Sequence, residues 1–112
     1  MIYKICPSRE WAQAMEQRSY TGSALDRKDG FIHFSTGVQV AGTLAKYYAD
    51  ASDLVLVAVE DTALGAALTF EPSRDGALFP HLYGDLPLTA VHWVKPLTRG
   101  SDGVFVLPAD CN

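Results

Sequence analysis

The chain has 112 residues, of which 48% are hydrophobic and 20% charged, and carries a formal net charge of −4. This length fits one domain, residues 1–112, whose folding buries about two thirds of the surface the unfolded chain exposes, so no metal or disulfide staple is needed. No stretch approaches the roughly 18 unbroken apolar residues of a membrane span, and the scattered basic residues form no stripe of the kind a general nucleic-acid binder uses.

The opening run passes directly from apolar residues into charge, so no signal peptide is expected and the cytoplasm is the expected compartment. Ile2 to Cys6 read as a first strand. In CPSREWAQAMEQ, Ser8 is the expected N-cap, and Trp11, Ala12 and Met15 fall at helical spacing, which predicts a helix that buries its tryptophan. RSYTGSALDRKDG is polar and lacks a period, and reads as a long loop of the kind that lines sites.

FIHFS reads as a short strand, and TGVQVAGTLAKYYAD as a second helix. Thr36 stands at its cap, Gln39 three residues on completes a capping box, and Val38, Ala41, Leu44, Ala45 and Tyr48 share the expected buried face. DLVLVAVE is continuous, apolar and β-branched, as in a central strand covered on both faces. Asp61 to Gly65 reads as a turn or short helical excursion, and ALTFEP, ALFPHLYG, LTAVHWVKPL and GVFVLP as strands. The expected fold class is α+β, a single domain with two early helices and a mostly antiparallel sheet.

Chemistry-bearing groups concentrate in FIHFST, FEPSRDG and FPHLYGDL, each joining a strand to a turn. On a strand, Phe31, His33 and Ser35 share one face and Ile32 and Phe34 the other. A histidine and a hydroxyl on one face suit a ribose, whereas the structural alternative for His33 is a half-buried imidazole bonded to backbone. His81 is either a site residue or a turn residue leading into the next strand. Arg74 is either an anion-binding guanidinium or a solvated turn arginine paired with Glu71 or Asp75. His92, inside a strand pattern, reads as structural, and Tyr47 and Tyr48 as helix packing.

Cys6 and Cys111 stand near opposite ends, with no CxxC and no histidine at ligand spacing, so no metal site is expected. They read as free thiols, with a terminus-to-terminus disulfide as the alternative, and Cys6 between Ile5 and Pro7 as a packing residue rather than a nucleophile. The chain has no GxSxG elbow, P-loop, strand-to-helix GxGxxG or HExxH, which removes classical hydrolase, P-loop ATPase and zinc-protease readings.

Taken in order, IYKI, SALDRKDGFIHFST, DLVLVAVE, LG and EPSRDGALFPHLYGDLPL resemble, over nearly the full length, a bacterial family known as domain of unknown function 952. The resemblance implies an ADP-ribosyltransferase-like fold, that of a superfamily that splits nicotinamide from NAD through an oxocarbenium-like transition state. It places Lys4 where that superfamily usually has histidine or arginine in its first strand, and His33, in GFIHFST, where a nicotinamide-stacking tyrosine often sits. His81, in FPHLYG, falls near the position of the superfamily's glutamate, which this chain does not match. The implied function is a cleft that binds or processes NAD or an ADP-ribose-like nucleotide, with His33 and His81 catalytic and Lys4, Ser35, Thr36, Arg74 and Tyr83 contacting substrate. No cofactor is required, and NAD stays open as substrate or ligand. The alternative is a non-catalytic module that senses a nucleotide or binds a protein.

Overall fold

The computed structural model of the protein describes residues 1–73, 76–109 and 111. Its strands are β1 (Ile2–Pro7), β2 (Ile32–His33), β3 (Leu54–Val59), β4 (Leu68–Pro72), β5 (Leu78–Leu82), β6 (Val91–Arg99) and β7 (Phe105–Val106), and its α-helices are α1 (Ser8–Gln17), α2 (Ala24–Asp29) and α3 (Val40–Tyr47). One sheet runs β1-β3-β6-β7 and a second β2-β5-β4. Every ladder among the described residues is antiparallel, in keeping with the α+β expectation.

β3 is the central strand its composition predicts. Val57 and Val59 enter one apolar cluster, while Leu54, Leu56 and Ala58 enter a second on the opposite face. β1 is divided in the same way: Ile2 and Cys6 face the first cluster, Tyr3 and Ile5 the second. By alternation Lys4 shares the first face, and it is only 5% exposed. Cys6 belongs to the first cluster and Cys111 packs on the second, and both are free thiols.

Three local expectations require correction. Ser8 is the first helical residue, not the cap; Pro7 takes the cap position and α1 has no side-chain cap. α1 buries Trp11 and Ala14 and leaves Ala12 and Met15 exposed. The second predicted helix begins as a 3-10 turn, Gly37–Gln39, and becomes α3 only at Val40. The tighter turn changes the phase of the buried face. Val40 and Leu44 are therefore buried, with Tyr48 packed beside them, whereas Val38 is 87% exposed and Ala41 and Ala45 face outward. Gln39 Oε1 accepts from the Thr36 backbone N–H at 2.9 Å, as the capping-box spacing predicts.

The third correction matters most: the polar stretch read as a loop contains α2. Its six residues are too few to show a period, but Ser23 and Asp26 form a capping box, and Gly30 closes the helix at φ 87°. The predicted excursion at Asp61–Gly65 is a pair of 3-10 turns, Asp61–Ala63 and Gly65–Ala67. The two sheets meet where Tyr3 and Ser35 exchange backbone hydrogen bonds, each 2.8 Å. No described helix is long and apolar enough to cross a membrane.

Candidate functional site

His33 and His81 lie directly opposite each other in the β2–β5 ladder, so both side chains leave the same face of the second sheet. Their rings meet edge to face with centroids 5.5 Å apart. Phe31, two residues before His33, stacks on the His81 ring at 4.1 Å and 26°. Glu71 on β4 is a diagonal neighbour of His81, since Thr69 stands opposite His81 and Glu71 opposite Phe79. Glu71 Oε1 accepts from His81 Nδ1 at 2.7 Å and from the Tyr83 hydroxyl at 2.7 Å. Those two bonds, Tyr83's first, hold the Glu71 carboxyl below the usual carboxylate range, and the same carboxylate pushes the Tyr83 phenol up.

The opposite wall is built by α2 and β1. Asp26, 2% exposed, carries a carboxylate that accepts four hydrogen bonds: Lys4 Nζ at 2.8 Å and Ser23 N at 2.9 Å on Oδ2, and His33 Nδ1 at 2.6 Å and His33 N at 3.2 Å on Oδ1. Burial alone would raise this carboxyl; the His33 hydrogen bond, the Lys4 charge and the bonds from Lys4 and Ser23 outweigh it and hold Asp26 well below the usual range. Lys4 also donates to the His33 carbonyl at 3.0 Å. His33 Nε2 lies 2.9 Å from Asp29 Oδ2, one helical turn after Asp26.

Between these walls lies a cleft of about 590 Å3 bordered by Lys4, Asp26, Asp29, His33, Ser35 and His81, with Tyr47 and Tyr48 from α3 among its other lining residues. Ser35 is buried; its hydroxyl meets that of Thr43 at 3.2 Å. His81 Nε2 is buried and has no hydrogen-bond partner among the described residues. Cys6 is no nucleophile here, because burial pushes its thiol up to about 11.

The structure thus brings His33, His81, Lys4 and Ser35 to one cleft. Thr36 does not line it and is held by Gln39, while Tyr83 stands behind it, bonded to Glu71 and packed against Phe31. Lys4, expected as a substrate contact, lines the cleft with its ammonium paired to Asp26. Arg74, and the Asp75 considered as its partner, lie outside the described residues; Glu71 pairs with His81 and Tyr83. His81 is a buried mid-strand residue rather than a turn residue, and Tyr47 lines the cleft at 61% exposure rather than packing inward. Asp26 was not anticipated. Its signal was present in the Ser23-x-x-Asp26 spacing, a helix-start pattern in a stretch whose polarity masks it. No group of three or more His, Cys, Asp or Glu residues among those described is placed to hold a metal ion.

A family model described as protein of unknown function, DUF952, matches residues 5–94. The chain belongs to the DUF952 family. Its match takes in Asp26, His33, Glu71 and His81, and Lys4 lies one residue before it. The crystal structure of protein CC0527 from Caulobacter crescentus is similar to the DUF952 chain at 46% identity and a TM-score of 0.89, covering 95% of this chain and 93% of that one. The solution NMR structure of CC0527 gives 47% identity and a TM-score of 0.83, with 92% and 89% covered. Both are structural-genomics targets whose descriptions name no activity, and no curated protein matches.

Proposed function

We propose that the cleft binds NAD or a related ADP-ribose-containing nucleotide, on a fold of the ADP-ribosyltransferase type, with the two histidines at its ribosyl end. The observation that carries this reading is the facing pair, His33 and His81, at a cleft of about 590 Å3, one of them with a buried ring nitrogen that is unpaired among the described residues. The volume lies within the roughly 300–1,000 Å3 range of small-molecule sites. Asp29, 2.9 Å from His33 Nε2, adds negative charge of the sign that favours a developing ribosyl cation, whereas the Asp26 charge is balanced by Lys4. Because Lys4 is neutralised by Asp26, the pyrophosphate contact rests on the sequence reading of Arg74.

An amide chemical-shift titration with NAD, ADP-ribose and nicotinamide tests the reading, with nicotinamide release measured alongside. Shifts are expected at His33, Ser35, Thr43 and His81, and His81→Ala is expected to slow release by about 100-fold or more. Binding without release would leave a nucleotide-sensing module. No shift with any of the three at millimolar ligand would refute nucleotide binding.

A further inference from the structure

We propose that the two histidines are not interchangeable: His81 is the general base of the cleft, accepting a proton through Nε2 from a ligand hydroxyl or a water, and Glu71 is the positioning residue that fixes its tautomer. This inference deepens the nucleotide reading and rests on the cleft being a ligand site.

His33 has no ring nitrogen to offer. Its Nδ1 lies 2.6 Å from Asp26 Oδ1 and its Nε2 2.9 Å from Asp29 Oδ2, so both are engaged by carboxylates. Among the described residues His81 is engaged on one side only, by Glu71 Oε1 at 2.7 Å from Nδ1. An ionised carboxylate accepts and cannot donate, so Nδ1 carries the proton and the lone pair of the neutral ring falls on Nε2. That nitrogen is buried in a side chain only 5% exposed, on a residue that borders the cleft, and no group among the described residues reaches it. A buried polar atom without a partner costs free energy, so a fold that keeps one beside a cleft is suited to a ligand that supplies the missing donor.

The ring is also fixed against a flip that would exchange its nitrogens. Phe31 stacks on it, the His33 ring edge abuts it, and Glu71 is itself anchored by the Tyr83 hydroxyl on the same oxygen. These groups, Glu71, Tyr83, His33 and Phe31, are the neighbours that set the hydrogen bonding of His81.

The chemistry this permits is proton removal from oxygen. The Nε2 lone pair takes the proton of an O–H group, the O–H bonding pair stays on that oxygen, and the oxygen attacks an electrophilic carbon whose leaving group departs with its own bonding pair. When the bond broken is that between ribose and nicotinamide, nicotinamide leaves as a neutral molecule and needs no proton. The proton taken by His81 then passes to solvent, so one base suffices. Asp26 and Asp29, both engaged with His33, are not in competition for that role.

Long-range proton–nitrogen correlation spectra of the histidine-labelled protein read the tautomer directly. At about pH 8, where a free imidazole is neutral, His81 is expected to show a protonated Nδ1 and a bare Nε2 before any ligand is added. Glu71→Ala, a change at a partly exposed position, is expected to abolish that preference, with the Nε2–H form appearing. Adding NAD to the wild-type protein is expected to move the His81 Nε2 resonance and leave both His33 nitrogens in place. A protonated Nε2 in the wild-type protein, or a tautomer indifferent to Glu71→Ala, overturns the assignment whether or not NAD binds. The predicted tautomer with no response to NAD instead counts against the nucleotide reading and leaves His81 as the base for another hydroxyl-bearing ligand.

Discussion

Removing the Asp26 carboxylate strands several donors at once: the Lys4 ammonium, His33 Nδ1 and the backbone N–H groups of Ser23 and His33. A buried ammonium without its counter-charge is costly, so Asp26→Ala is expected to lower unfolding free energy by about 3–5 kcal/mol, read from urea denaturation at neutral pH. Lys4→Met leaves Asp26 its other three bonds and should cost less; equal losses would mean that the ion pair, not the carboxylate hub, dominates. The same carboxyl sets a pH dependence. Its folded-state value is depressed, so the unfolded chain binds the proton first as the solution is acidified. The stabilisation is whole above about pH 4, declines below it and is lost through the lower folded-state value. Urea midpoints measured from about pH 6 down to about pH 2 should therefore fall more steeply in the wild-type protein than in Asp26→Ala; parallel curves would refute the linkage. At this scale the histidines were legible because a strand's alternation puts His33 on a known face. Asp26 was not, since the Ser23-x-x-Asp26 spacing marks a helix start and not that the carboxylate is buried.

α2 shows how an element can be essential and yet nearly invisible in sequence. Six residues cannot sustain a helix by backbone hydrogen bonds alone, and this one is held by its caps and by the bond from Asp26 to β1. Ser23→Ala removes the hydroxyl that accepts from Asp26 N at 3.1 Å and should cost about 1 kcal/mol. Because Asp26 and Asp29 both ride on α2, the loss should also appear as faster amide exchange there and as shifts at His33; exchange unchanged in α2 would mean the cap is dispensable. The entry to the helix is equally constrained: Gly22 has φ 104°, and a Cβ there would meet Asp26 Cβ at 2.8 Å. α3 is tied at its other end, where the Arg99 guanidinium donates to the carbonyls of Ala49 and Ala51 at 2.8 and 2.6 Å. Neither the caps of α2 nor the 3-10 opening of α3 follows from periodicity, which is why the existence of α2 and the phase of α3 both escaped the sequence reading.

For the whole molecule, the strands and their antiparallel class were legible from short β-branched and aromatic runs punctuated by proline and glycine. The division into two sheets was not, because which strands pair is set by packing between distant segments and leaves no mark in local pattern. β3, like β1, contributes to both clusters. Leu56→Ala, at a fully buried position in the second cluster, should cost about 2–5 kcal/mol. Tyr3, Ile5 and Tyr48 of that cluster also line the cleft, so amide shifts should move at that wall as well as around Leu56; unchanged shifts at Tyr3, Ile5 and Tyr48 would mean the cluster repacks without disturbing the cleft.

The Tyr3–Ser35 exchange does more than join the sheets. It occupies backbone groups on the outer side of β1 that would otherwise be open to another chain. β7 does the same for the last two residues of β6, where it pairs with Thr98 and Arg99. The longer stretches still open among the described residues, β4 and the first part of β6, each contain a proline that offers no donor, Pro72 and Pro96, next to a charged residue, Glu71 and Lys95. Such edges are poor templates for strand addition, so these features guard a small protein rich in β-branched strands against self-association.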